Sequence, residues 1–154
     1  MPSYNIILNS NNKIDGTNSS CNYTIDWRFI PQGEYMVSFS YMGANNALAT
    51  GRYATVLCEL GQNTSFTTSS TNTQANSSKI IGCLYPLYVS SVGNAGMLFC
   101  DTSTNPPIYL KSVPTLNTFN VQVLMPDVST AYTDSVGVVN ANYILTLHFE
   151  LIKK

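Results

Sequence analysis

Along the last stretch of the chain, NYILTLHFELI, apolar and polar positions alternate. Tyr143, Leu145, Leu147, Phe149 and Leu151 fall on one face, and Asn142, Ile144, Thr146, His148, Glu150 and Ile152 on the other. A period of two is the signature of a strand that buries one face. The same period runs through CNYTIDWRF, with Tyr23, Ile25, Trp27 and Phe29 on the inward side and Asn22, Thr24, Asp26 and Arg28 opposite. It recurs in EYMVSFSYM, where Tyr35, Val37, Phe39 and Tyr41 oppose Met36, Ser38, Ser40 and Met42, and in NTFNVQVLM, which turns Phe119, Val121 and Val123 inward.

YNIILNS, RYATVLCEL, KIIGCLYPLYVSS, GMLFCD and PIYLKS add further short strands, separated by segments rich in Gly, Asn, Ser and Thr. Pro86 offers no ladder donor, so it is placed at an edge, a bulge or a break between two short strands. NSNNKIDGTNSS, GANNALATG, Gly61–Ser78 and Pro126–Ala141 read as loops. No segment sustains a 3.6-residue apolar repeat and no internal repeat is visible. Nine short strands with turn signals between them predict an all-β chain, a two-sheet antiparallel sandwich with Trp27, Phe39, Val121, Leu145 and Leu147 in its core.

A length of 154 residues fits a single domain, residues 1–154, able to bury roughly 70% of the surface its unfolded chain would expose. Composition changes the picture more than length does. Charged residues make up only 10% of the chain, against about 25% in an ordinary soluble domain, and Ser, Thr and Asn supply the polarity instead. With a net charge of -1 and no basic run beyond Lys153-Lys154, nothing points to nucleic acid or an anionic membrane surface. A surface this poor in charge is weakly protected against self-association and suits a subunit covered by neighbours. No apolar stretch approaches the roughly 20 residues needed to cross a bilayer, so no direct membrane insertion is expected. MPSYNIILNS lacks the basic start and apolar run of a signal peptide, and synthesis in a cytoplasm is expected.

Candidate chemistry begins with the only histidine, His148, two residues before Glu150. A base and its partner, or two metal ligands, would have this spacing, but the alternation of the strand accounts for it alone: both project from the outer face, about 7 Å apart. Gly-x-Ser-x-Gly, GxGxxG, GxxxxGK[ST] and HExxH are all absent from the sequence, so the chain lacks the signatures of nucleophilic hydrolysis, phosphate cradling and zinc hydrolysis. Asp26 and Glu34 are a candidate glycosidase carboxylate pair across a turn; the pattern also reads them as solvated strand residues. Cys21, Cys58, Cys83 and Cys100 contain no CxxC pair and are read as buried free thiols rather than as a zinc site. The Asn-x-Ser/Thr sites at Asn18, Asn22, Asn63 and Asn76 are expected by chance in a chain so rich in these residues. The ten tyrosines exceed what a core needs, and exposed aromatic rings serve either sugar stacking or subunit packing. No catalytic residue, cofactor or metal ligand is assigned.

YNIILNS with CNYTIDW some dozen residues on, then PQGEYMVSFSYM, and the closing half NPPIYLKSVPTLNTFNVQVLMPD followed by NYILTLHFEL, resemble the small single jelly-roll minor capsid proteins of large icosahedral DNA viruses. The likeness runs in order from Tyr4 to Leu151, with Trp27, Pro107, Phe119 and Phe149 among the recurrent residues; the central Gly61–Ser78 loop matches no motif. The resemblance implies an eight-stranded sandwich of two four-stranded sheets and no enzymatic activity. It also implies a place in the virion shell, beneath or between major capsid capsomers or at the vertices as a penton protein. The expected partners are then the major capsid protein and other minor capsid proteins, in a homo- or hetero-oligomer within the shell. The neutral loops Gly61–Ser78 and Pro126–Ala141, which can bond a partner without desolvating full charges, are expected to form the principal contacts. A jelly-roll carbohydrate-binding module, such as a fibre or adhesin head, is the alternative.

Overall fold

The computed structural model describes residues 1–45, 53–61, 79–89, 95–126, 130–132 and 142–154. The two loops expected to meet partners, Gly61–Ser78 and Pro126–Ala141, lie almost wholly outside the described residues, as does most of GANNALATG. Ten strands are present among the described residues: β1 (Ser3–Asn9), β2 (Asp15–Thr17), β3 (Ser20–Thr24), β4 (Glu34–Asn45), β5 (Ala54–Cys58), β6 (Ile80–Val89), β7 (Ala95–Cys100), β8 (Ile108–Leu110), β9 (Thr118–Leu124) and β10 (Tyr143–Lys153). Every pairing is antiparallel. The strands follow one another in the order β1-β10-β4-β7-β6-β5-β9-β3-β2, and β8 pairs with β4 beyond the end of β7.

This path divides into two layers of a sandwich-like β fold, joined through β6. Leu84 and the residues before it pair with β5, whereas Tyr85 and those after it pair with β7. Pro86 sits just past that crossing, opposite Leu98, in a strand that continues through it. Where β7 ends, the side chain of Asn105 takes over as partner: its Oδ1 accepts the Cys83 amide at 2.8 Å and its Nδ2 donates to the Cys83 carbonyl at 3.0 Å. Gly82 makes room for it, because a Cβ there would lie 2.4 Å from Oδ1 of Asn105.

The alternating faces meet between the layers. Tyr35, Val37, Phe39 and Tyr41 from β4 and the odd-numbered residues Tyr143–Leu151 of β10 pack against Phe119, Val121 and Val123 of β9, Cys21 and Tyr23 of β3, and Val56 and Cys58 of β5, all buried in one cluster. Each fully buried aliphatic or aromatic side chain contributes roughly 1.5–3 kcal/mol. Trp27 stands edge-to-face with Phe119 and Phe149 at 5.7 and 6.1 Å between ring centres. Elsewhere in the core Tyr143 stacks on Tyr41 at 4.9 Å and meets the Tyr23 hydroxyl at 3.1 Å, which satisfies two buried phenols at once. Burial raises both phenols well above the usual tyrosine range, so they remain neutral donors and acceptors.

Three readings of the sequence are corrected. The stretch CNYTIDWRF is not one strand: β3 stops at Thr24, and Trp27–Phe29 form a 3-10 turn capped by Asp26, whose side chain accepts the Arg28 amide. Three residues per turn break the period of two, so Trp27 stays buried while Phe29 is 80% exposed. The stretch NSNNKIDGTNSS holds a 3-10 turn, Ser10–Asn12, and the extra strand β2, which forms a hairpin with β3. Gly16 in β2 has φ 91°, and a Cβ would meet the Ser20 carbonyl oxygen at 2.1 Å, a position only glycine fills without distortion. Finally, β4 runs on through Gly43 to Asn45, so the loop expected from Gly43 starts later.

Candidate interaction surface

The outer face of the β1-β10-β4-β7 layer is built by cross-strand rows. The first row sets Ser3, Glu150, Met36 and Tyr109 side by side; the second, Asn5, His148 and Ser38; the third, Ile7, Thr146 and Ser40; the fourth, Asn9, Ile144, Met42, Phe99 and Tyr85. Glu150 lies at one end with Met36 and Tyr109 beside it, neutral polar side chains with the exposed Ile7 among them lie in the middle, and a run of apolar side chains lies at the other end. Ile144, Met42, Tyr85 and Leu87 are exposed there, and Tyr53 stands edge-to-face on Tyr85 at 5.7 Å. Between Ile144, Met42 and Phe99 lies a depression of about 120 Å³, well below the roughly 300 Å³ at which sites for whole small molecules begin. Such a surface suits side chains of another protein better than a free ligand.

His148 and Glu150 project from this outer face, as the alternation requires. His148 is half-buried, with Nδ1 in hydrogen-bond contact with Asn5 Oδ1, and Glu150 is exposed between Ser3 and Met36. No three His, Cys, Asp or Glu side chains gather around a common metal position among the described residues. Asp26 and Glu34 are engaged separately. Arg28 grips the Asp26 carboxylate with Nε at 2.8 Å and Nη2 at 2.7 Å, which holds its pKa at about 2. Glu34 accepts the Tyr109 hydroxyl. Asp26 is held ionised at neutral pH by Arg28, the state of a glycosidase nucleophile or base rather than of its acid.

An open groove beside Trp27, lined also by Arg28, Gln32, Thr115 and Asn117, measures about 690 Å³. Its aromatic residue presents no ring for a sugar to stack on, because Trp27 is buried and its indole N–H donates to the Leu116 carbonyl at 2.7 Å.

The four cysteines are free thiols, but the reading of all of them as buried is corrected for Cys83, which is exposed. Leu84 is the inward residue at this point of β6, so its neighbour Cys83 faces out. Burial pushes the Cys58 and Cys100 thiols up to about 12, leaving almost no thiolate to react. Iodoacetamide is therefore expected to label the native protein at Cys83 first and to reach Cys21, Cys58 and Cys100 only on unfolding; intact mass and peptide mapping check this.

The sequence placed Met42 and Ile144 on outer faces but gave no sign that they meet. Their contact, and the place of Phe99 and Tyr85 in the same row, depend on strand register. Comparison with known proteins finds no matching family model, no matching curated protein and no matching solved structure.

Proposed function

We propose that this protein is a structural minor capsid component of a large icosahedral DNA virus, built as a single jelly roll and held in the virion shell by contacts with the major capsid protein and other minor capsid proteins. The fold part of the reading is supported by strand order. With the three-residue strands β2 and β8 set aside, one layer runs β1-β10-β4-β7 and the other β3-β9-β5-β6. In each layer strands from the first half of the chain alternate with strands from the second, the interleaving of two Greek keys that defines a jelly roll. β2 then extends one layer and β8 lengthens the other beside β4.

The observation that carries the function is the outer sheet face, almost free of charge, which exposes Ile7 and, along its last row, Ile144, Met42 and Tyr85. A subunit packed among neighbours covers such a face, whereas a free monomer leaves it wet. Washed particles of the encoding virus are expected to retain the chain at a fixed ratio to the major capsid protein. Cross-linking followed by mass spectrometry should join exposed lysines such as Lys111 and Lys153 to capsid neighbours. Loss of the chain from washed particles would sink the reading, and specific binding of the isolated chain on a glycan array would favour the carbohydrate-binding alternative.

A further inference from the structure

Strand β1 is the edge of its layer: it pairs with β10 on one side, and no described residue pairs with the other. The direction of its backbone groups follows from one hydrogen bond. The Pro2 carbonyl accepts the Leu151 amide at 3.2 Å, one step beyond the Ser3–Glu150 pair. In an antiparallel ladder the groups aimed at a given neighbour belong to every second residue. Pro2, Tyr4, Ile6 and Leu8 therefore address β10, while Ser3, Asn5, Ile7 and Asn9 direct their amides and carbonyls to the open edge. The strand, SYNIILN, contains no charge and no proline, and its register with β10 runs without a bulge. Within the strand itself, the charge, proline and bulge that usually block an edge are all missing.

Beside this edge lies a groove of about 370 Å³ lined by Tyr4, Ile6, Ile25, Phe29 and Ile30 together with Asn5 and Asp26. Arg28 neutralises Asp26, so the groove carries no net charge. The groove lies on the inward side of β1, beside Tyr4 and Ile6 and under the exposed ring of Phe29, and leaves room for a second strand along the edge. Open backbone groups and an apolar groove in line with them call for one kind of ligand, an extended chain with alternating apolar residues.

We propose that β1 is a strand-addition site and that its occupant is β1 of a second copy of this chain, paired antiparallel about a two-fold axis through Ile6. That register sets Ser3 opposite the second copy's Asn9 and Asn5 opposite its Ile7, so the residues with open backbone groups face one another. On the groove side it sets Ile6 opposite Ile6 and Tyr4 opposite Leu8. No like charges meet, and a two-fold contact closes without leaving an edge to propagate. β2, at the far end of the strand path, is unsuited to the same pairing: it has three residues, one of them Asp15 and one Gly16 in the left-handed region. The inference concerns the isolated chain and stands apart from any role in a capsid.

Sedimentation velocity of the full chain over increasing concentration tests it. A monomer–dimer equilibrium is expected. Ile7→Pro removes an amide that pairing with β10 does not use, and Ile7→Lys places a charge on the open edge at an exposed position. Ile7→Pro should weaken dimerisation by about tenfold or more, the scale of one lost pair of backbone hydrogen bonds, and Ile7→Lys should weaken it through repulsion between the charges of the two copies, while the circular dichroism of the monomer stays unchanged. Hydrogen exchange at Asn5 and Ile7 should slow only in the dimer. A chain that stays monomeric throughout would overturn the proposal. So would a dimer indifferent to Ile7→Lys, or one whose protection maps to Met42, Phe99 and Ile144 instead.

Discussion

Replacing Trp27 by alanine is expected to lower the unfolding free energy by about 3–5 kcal/mol. The indole is 4% exposed and touches both layers, edge-to-face with Phe119 on β9 and with Phe149 on β10. Removing it empties the space between the layers and leaves the Leu116 carbonyl without the N–H that now reaches it at 2.7 Å. Trp27→Phe helps to separate the two causes, because it keeps a six-membered aromatic ring in the core while it loses the donor and the smaller part of the packing. Its cost should be smaller, with about 0.5–1.5 kcal/mol from the hydrogen bond itself. Urea unfolding followed by circular dichroism measures both variants. Equal losses in the two would show that the hydrogen bond, not the packing, dominates.

The second large effect pairs neighbours on one strand. Phe149→Ala should cost about 3–5 kcal/mol, since the ring is fully buried and packs edge-to-face on Trp27 and on Tyr35 at 5.9 Å. His148→Gln, one residue away, should change stability by no more than about 0.5 kcal/mol, as surface substitutions usually do. Glutamine can still reach Asn5, and the outer face of β10 remains polar at that row. Glu150→Gln should be equally mild. If His148→Gln unfolded the protein, the outer position of the imidazole would be wrong; bound metal in near-stoichiometric amount by elemental analysis would instead assign the pair a ligand role.

The inward residues were legible because burial on one side of a strand writes a period of two into the sequence. Trp27, Phe39, Val121, Leu145 and Leu147 all lie in the core, and the alternation in β10 holds from Tyr143 to Leu151. The pattern misled where the backbone leaves the extended conformation. Phe29 continues the apolar phase of Tyr23, Ile25 and Trp27, but the turn capped by Asp26 rotates it into solvent. Cys83 sits in an apolar run that looks wholly buried, yet β6 keeps one face outward while it passes from one layer to the other. The hairpin strand β2 was hidden among turn residues, because three paired residues around Gly16 are too few to show a period.

By itself the sequence determined an all-β chain, the inward residue of most strands, and a surface poor in charge. These are local properties, set by the chemistry of each residue and its near neighbours. Tertiary structure alone decided that Ile144, Met42, Phe99 and Tyr85 form one row, that β6 serves both layers, and that among the described residues β1 ends its layer beside a groove. Pairing joins residues as distant as Ser3 and Glu150, and each cross-strand pair contributes only about 0.2–1 kcal/mol. Neighbours and register are therefore chosen by the sum of many weak long-range contacts, which no single segment of the chain records.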